Sequence, residues 1–231
     1  MDAPNRTSWP HLPYVLKGIM RSQEAAPRRR LPISPDILSK LLGAWSSDCY
    51  ESRMLWAAAC VGFFGFMRSG EFTCQSSSGE PPILSSAVAV DSHSSPSMVK
   101  IFLRKAKTDP FGKGIDIFLG RNDAPLYPVS AVLRYLAVRS KTIGPLFIWE
   151  DLSPLTRDQF VRKVKQALQS VGIDASYYSG HSFRIGAATA AARAGVPADT
   201  IKMLGRWESD AYRLYIRTPR ETLASISRTI V

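Results

Sequence analysis

Apolar and polar positions alternate with a helical period along most of the chain and with a strand period in one place. Residues 54–67 are almost continuously apolar between Arg53 and Arg68. Leu55, Ala58, Ala59, Gly62 and Phe63 recur there at three- and four-residue spacing, which predicts a buried helix over 50–67 whose small residues allow close packing. At fourteen residues the run is short of the roughly 20 that a membrane span needs. Ser34-Pro35-Asp36 predicts a second helix through Trp45, with Ser34 as N-cap and Pro35 in the first turn. A short helical segment is expected over 14–21. After a Ser- and Pro-rich stretch with one strand over 87–91, residues 99–103 and 115–119 alternate and are rich in β-formers. Asp109-Pro110-Phe111-Gly112-Lys113-Gly114 lies between them, the mark of a hairpin. Helices are expected over 129–139, 157–171, 181–193, 197–204 and 210–216, punctuated by Gly144, Gly172, Gly195 and Gly205. No internal repeat is visible. The expected fold class is mostly α with a small antiparallel β-sheet.

Composition narrows the function without fixing it. With 231 residues, 45% of them hydrophobic and 10% aromatic, the chain can bury a real core and is no disordered polycation. Its 30 Lys and Arg against 19 Asp and Glu leave a net charge of +11. Such a surplus favours a polyanion, nucleic acid first, though a merely solvated basic surface has the same composition. Three cysteines without a CxxC pair exclude a disulfide scaffold and give no zinc pattern. The first residues carry no apolar signal segment. An intracellular, reducing setting is expected.

Two short stretches could carry chemistry. In Gly180-His181-Ser182-Phe183-Arg184, three-residue spacing puts His181 and Arg184 on one face of a helix's first turn, where a proton-transfer group beside a guanidinium suits a reacting phosphate. Alone, the pair is commonly structural. Residues 205–217 gather Trp207, Tyr212 and Tyr215 with Arg206, Arg213 and Arg217. They read either as a surface helix with aromatic anchors or as a tyrosine nucleophile held beside phosphate by basic groups.

Together these stretches resemble the C-terminal signature of tyrosine recombinases, the phage-integrase family. Gly-His-Ser-Phe-Arg at 180–184, Ala-Gly-Val at 194–196, Leu-Gly-Arg-Trp at 204–207 and Tyr-Ile-Arg at 215–217 carry the likeness. Trp in place of a second His, with Ser-Asp-Ala-Tyr before the final Tyr, is similar to recombinases of eukaryotic mobile elements of the DIRS and Crypton type. The family pattern also asks for an Arg with a nearby Glu at the end of an apolar helix, supplied by Arg68 and Glu71. A Lys in a hairpin is supplied by Lys107, which directly precedes Thr108, with Lys105 as its rival on the same strand face.

The resemblance implies a role for each residue. Arg68 and Arg184 clamp the non-bridging oxygens of the scissile phosphate, and Glu71 orients Arg68. Tyr215 attacks phosphorus, with Tyr212 as the rival nucleophile. Lys107 protonates the leaving 5′-oxygen, His181 assists proton transfer, and Trp207 hydrogen-bonds and buttresses the site. Arg104, Lys113 and Arg206 are candidate contacts to the DNA backbone. It implies no metal, no cofactor, no ATP and no small-molecule substrate. The partner is double-stranded DNA, on which the chain is expected to assemble as a homo-oligomer, a tetramer, in the nucleus if the source is eukaryotic.

Residues 1–30, with the basic run Arg28-Arg29-Arg30, look like the end of a core-binding domain and its linker, and 31–231 like the catalytic domain. A mobile-element relic that binds DNA without recombining it, and a type IB topoisomerase, are the alternatives that share these motifs.

Overall fold

The computed structural model describes residues 11–22, 30–104, 112–121, 126–214 and 216. Helix α1 (Leu12–Ser22) is followed by α2 (Pro35–Ala44) and α3 (Tyr50–Phe64). Helix α2 starts as its sequence predicts: Ser34 caps it by accepting the Ile37 N–H at 3.3 Å, and Pro35 fills a first-turn position where no amide donor is needed. Trp45 is its C-cap rather than its last residue.

Helix α3 is buried nearly all round, as an apolar run without a polar face requires. It stops at Phe64, three residues before the apolar run does. Phe66 turns left-handed at φ 52°; its N–H bonds Phe63 O at 3.1 Å, and the Met67 N–H bonds Gly62 O at 2.9 Å. These two bonds close a Schellman turn. Hydrophobicity did not reveal the stop because the reversing turn itself is buried, Phe66 and Met67 included. A left-handed phenylalanine is costly, of order 1–3 kcal/mol, and here the turn aims the next residue, Arg68.

The strands β1 (Val88–Val90), β2 (Met98–Leu103) and β3 (Ile115–Gly120) form an antiparallel sheet in the order β1-β2-β3. Val99, Ile101 and Leu103 face inward and pair with Leu119, Ile117 and Ile115. The expected hairpin is thus a pair of neighbouring antiparallel strands, and Lys105 and Lys107 lie outside the described residues.

The second half is helical: α4 (Pro128–Val138), α5 (Arg157–Ser170), α6 (Ser182–Arg193) and α7 (Ala198–Leu204). Helix α5 opens on a capping box between Thr156 and Gln159. Helix α3 packs against α4 and α6, and α2 against α5. Asp210–Leu214 is a 3-10 segment, not the expected α-helix over 210–216. Tyr212 is buried beside Trp207, with ring centroids 6.2 Å apart, and Lys202 reaches Asp210 at 3.3 Å. The segment is held at Asp210 and by one aromatic ring rather than by an amphipathic stripe. Among the described residues no helix is long and apolar enough to cross a membrane.

Residues 31–33 are strapped across the base of α6. The Leu31 N–H bonds Tyr177 O and the Ile33 N–H bonds Ser182 O, both at 2.9 Å, and Ile33 is fully buried. The strap fits only because position 186 is glycine: a Cβ there falls 1.8 Å from Ile33 O. Gly186→Ala should therefore lower the stability of the domain by about 1–3 kcal/mol, as overpacking does, read from the denaturant midpoint at unchanged slope. A midpoint equal to that of the parent chain would show that the strap is not held against α6.

Candidate active site

The Schellman turn of α3 delivers Arg68 in extended conformation to a 3-10 turn, Ser69–Glu71. The Glu71 carboxylate folds back onto the residue that precedes the turn. Its Oε2 accepts the Arg68 N–H at 2.8 Å, and its Oε1 accepts Arg68 Nη1 at 3.0 Å. Two further guanidinium groups converge on the same carboxylate: Arg184 Nη1 lies 3.5 Å from Oε1, and Arg206 Nη2 lies 3.2 Å from Oε2. Arg184 is fully buried, Arg206 and Glu71 are 7% and 8% exposed, and Arg68 is 22% exposed and so the most open of the four. Three guanidinium groups on one carboxylate leave a formal surplus of two positive charges in a largely desolvated site. Water screens such a surplus poorly, so the site favours an anion.

The signature residues explain one another locally. Ser182 locks the turn into α6: its hydroxyl accepts the Ser179 N–H at 2.9 Å, while its own N–H bonds Ser179 O at 2.9 Å. The Ser69 N–H bonds Gly180 O at 3.0 Å, tying this turn to the one that carries Glu71. His181, the expected first residue of this helix, is instead the N-cap of α6, which starts one residue later at Ser182, and Arg184 lies in its first turn. In Leu204-Gly205-Arg206-Trp207 the indole folds back over Gly205, where a Cβ would fall 1.6 Å from the ring. Gly205 O accepts Arg184 Nη2, and the Arg184 guanidinium lies over the Trp207 ring, 4.3 Å from its centroid. Trp207 thus buttresses Arg184 through its ring face, a cation–π contact strengthened by burial.

Burial first, and then the positive charges of Arg68, Arg157 and Arg184, hold His181 below the usual imidazole range, with Glu71 opposing. The imidazole is therefore neutral at neutral pH and can accept a proton. Arg157 was not singled out from the sequence. It is exposed at the first position of α5, where its N–H bonds Cys74 O at 2.9 Å. Its only sequence signal is its place directly after the Thr156 cap.

The structure thus brings Arg68, Glu71, His181, Arg184 and Trp207 together, and adds Arg206 to them. Arg206 faces inward, not outward as a DNA-backbone contact requires, because its guanidinium is taken up by Glu71 and by main-chain carbonyls at the end of α3. Arg104 pairs with Glu80 at 2.8 Å on the surface, and Lys113 is exposed near the start of β3. Tyr212 is buried against Trp207. Tyr215, like Lys105 and Lys107, lies outside the described residues. Among the described residues no group of three His, Cys, Asp or Glu side chains could hold a metal ion.

This fold, mostly helical with a three-stranded antiparallel sheet, is that of tyrosine recombinase catalytic domains. Residues 118–217 match the model of the phage integrase family. The structure is similar to that of the XerH site-specific recombinase in a post-cleavage complex with its palindromic difH substrate, at TM-score 0.63 and 12% identity, covering 88% of this chain and 53% of that one. XerA recombinase is similar at TM-score 0.63 and 18% identity, over 90% of this chain and 66% of that one. A lambda integrase dimer bound to a COC′ core site is similar at 0.58 and 15%, over 87% and 51%. The chain thus spans between about half and two thirds of the length of these proteins. No curated protein sequence matches it.

Removing the one carboxylate from this cluster leaves the arginines uncompensated. Glu71→Gln should destabilise the fold by about 3–5 kcal/mol, checked by chemical denaturation; a change below about 0.5 kcal/mol would mean that solvent screens the arginines. The depressed His181 pKa sets a pH dependence of its own. The unfolded chain binds this proton more tightly, so the stability is complete above about pH 6.5 and is lost as the pH falls through the lower folded-state value. The melting temperature of His181→Gln should therefore fall less than that of the parent between about pH 7 and pH 5. Parallel pH curves would show that His181 is freely solvated.

Proposed function

We propose that the chain is the catalytic domain of a tyrosine recombinase, a DNA strand transferase that breaks and rejoins DNA through a 3′-phosphotyrosyl intermediate. The observation that carries this reading is the surplus of two positive charges around Glu71. A phosphodiester brings one negative charge to such a site, and its pentavalent transition state brings a second. The cluster is therefore better matched to the transition state than to the ground state, which is the condition for lowering the barrier. Arg68, the most open of the arginines, and Arg184 take the non-bridging oxygens with their planar forks.

In the proposed reaction the Tyr215 oxygen attacks phosphorus and the P–O5′ bond breaks. Lys107, with Lys105 as the alternative, gives a proton to the leaving 5′-oxygen. His181, held neutral, takes the phenol proton or relays it. A 5′-hydroxyl of the same or another strand then attacks the phosphotyrosine and releases the tyrosine. The bond energy is kept in the intermediate, so religation needs no ATP. The guanidinium groups supply the charge stabilisation that a metal ion gives in other phosphoryl transfers.

The structural neighbours described as complexes with difH and core-site DNA support double-stranded DNA as the partner. The +11 charge adds a salt-sensitive term to that affinity. We place the chain beside the DIRS and Crypton type recombinases on its Gly-Arg-Trp and Ser-Asp-Ala-Tyr phrases. The same reading makes it a homo-oligomer on DNA, a tetramer, acting in the nucleus if its source is eukaryotic.

Tyr215→Phe should abolish an SDS-stable protein–DNA adduct on nicked suicide duplexes while DNA affinity stays within about twofold, since a phenol oxygen adds little to phosphate-driven binding. Tyr212→Phe should still form the adduct. An adduct that survives in Tyr215→Phe and disappears in Tyr212→Phe would reverse the choice of nucleophile. Replacing Lys107 should slow cleavage of a 5′-oxygen leaving group by about 10²–10⁴-fold and leave a 5′-thiolate leaving group, which needs no proton, almost unaffected. Rescue in Lys105→Ala alone would move the general acid to Lys105.

A further inference from the structure

We propose that Arg206 is a positioning residue of this site: it fastens the loop that carries Trp207 to the end of α3, and so sets the two clamp arginines relative to each other. The inference rests on the phosphoryl-transfer reading above and concerns a residue to which that reading gives only a share of the positive charge. Arg206 Nη1 donates to Gly65 O and Leu204 O, both at 3.1 Å, and Nη2 donates to Phe66 O and Glu71 Oε2, both at 3.2 Å. Its Nε is buried without a hydrogen-bond partner among the described residues, so no donor is turned toward an external phosphate.

What the fork holds explains why it is there. Gly65 and Phe66 close α3, where unsatisfied carbonyls and the helix dipole favour a cation. Phe66 at φ 52° and Arg206 at φ 56° are both left-handed, and they meet at this contact. Two turns that other residues avoid are held together by one guanidinium. From there the contacts divide. Through Glu71, Arg206 bears on the backbone and side chain of Arg68. Through its own peptide neighbour Gly205, whose carbonyl accepts Arg184, and through Trp207, whose ring lies under the Arg184 guanidinium, it bears on Arg184. Burial works against its charge while Glu71 favours it, which ties Arg206 to the carboxylate. Lysine, a point charge without a fork, cannot serve carbonyls and carboxylate together.

The test is single-turnover adduct formation on a saturating pool of nicked suicide duplexes of randomised sequence, with DNA affinity measured by anisotropy. Arg206→Gln should slow adduct formation by about 100-fold, the effect of a small misplacement of reacting groups, with DNA affinity within about twofold. Arg206→Lys should recover part of the rate. Added to Arg68→Lys, Arg206→Gln should cost much less than it does alone, because both changes act on one clamp. Weakened DNA affinity with an unchanged saturated rate would overturn the proposal in favour of a direct DNA contact. A full multiplicative loss in the Arg68→Lys background would overturn it in favour of a general structural role.

Inorganic phosphate, titrated calorimetrically into the folded parent and the folded Arg206→Gln variant, gives a readout without turnover. The variant should bind phosphate about tenfold more weakly, as when the contact of one clamp arginine is lost because that arginine is misplaced; equal affinity would contradict positioning. If the parent chain binds phosphate but forms no adduct with any duplex, the strand-transfer reading fails, and the phosphate comparison still decides the role of Arg206.

Discussion

The Glu71 carboxylate is the point on which the rest of the site depends. Arg68 reaches it with backbone and side chain, Arg184 approaches its Oε1, and Arg206 takes its Oε2. One carboxylate cannot neutralise three guanidinium groups, and burial prevents water from doing so. The charge that remains is directed outward, toward where Arg68 is open. Binding energy for an anion is thus stored in the fold, at the expense of stability that a matched set of charges would give.

The elements exist in the positions this arrangement requires. Helix α3 ends early in a left-handed turn so that Arg68 leaves the helix pointing at the turn of Glu71. The start of α6 is locked by Ser182 so that Arg184 enters from the other side. The loop after α7 returns across both, bringing Trp207 under Arg184 and Arg206 against α3. Three segments distant in sequence meet there, and each is held by main-chain hydrogen bonds rather than by side-chain packing alone. Such preorganisation lets electrostatic catalysis proceed without reorganisation at the moment of reaction.

Much of this was legible in the sequence because local rules act locally. The Ser34 cap, the helix starting at residue 157 and the alternation of β2 and β3 follow from nearest-neighbour chemistry, and the fold class followed from them. Arg68, Glu71, His181, Arg184 and Trp207 were recognisable as a set only through the likeness to a family, since nothing in their spacing says that residues 68 and 184 meet. What escaped the sequence was set by long-range contact. The stop of α3 was hidden by the apolar character of Phe66 and Met67. The 3-10 form of Asp210–Leu214 depends on Tyr212 packing against Trp207. The inward course of Arg206 depends on carbonyls some 140 residues earlier, and a positive charge in a basic signature gives no hint that it is buried.

The proposed function reduces to one bond, between a tyrosine oxygen and the 3′-phosphate of a broken DNA strand. The measurement that tests it most directly is to trap the parent chain on nicked suicide duplexes, digest the adduct and identify the joined peptide and DNA end by mass spectrometry. The expected result is a peptide containing Tyr215 joined through its phenol oxygen to a 3′-phosphate, with a free 5′-hydroxyl on the other fragment. Duplexes that all remain intact, or a tyrosine joined to a 5′-phosphate, would contradict it.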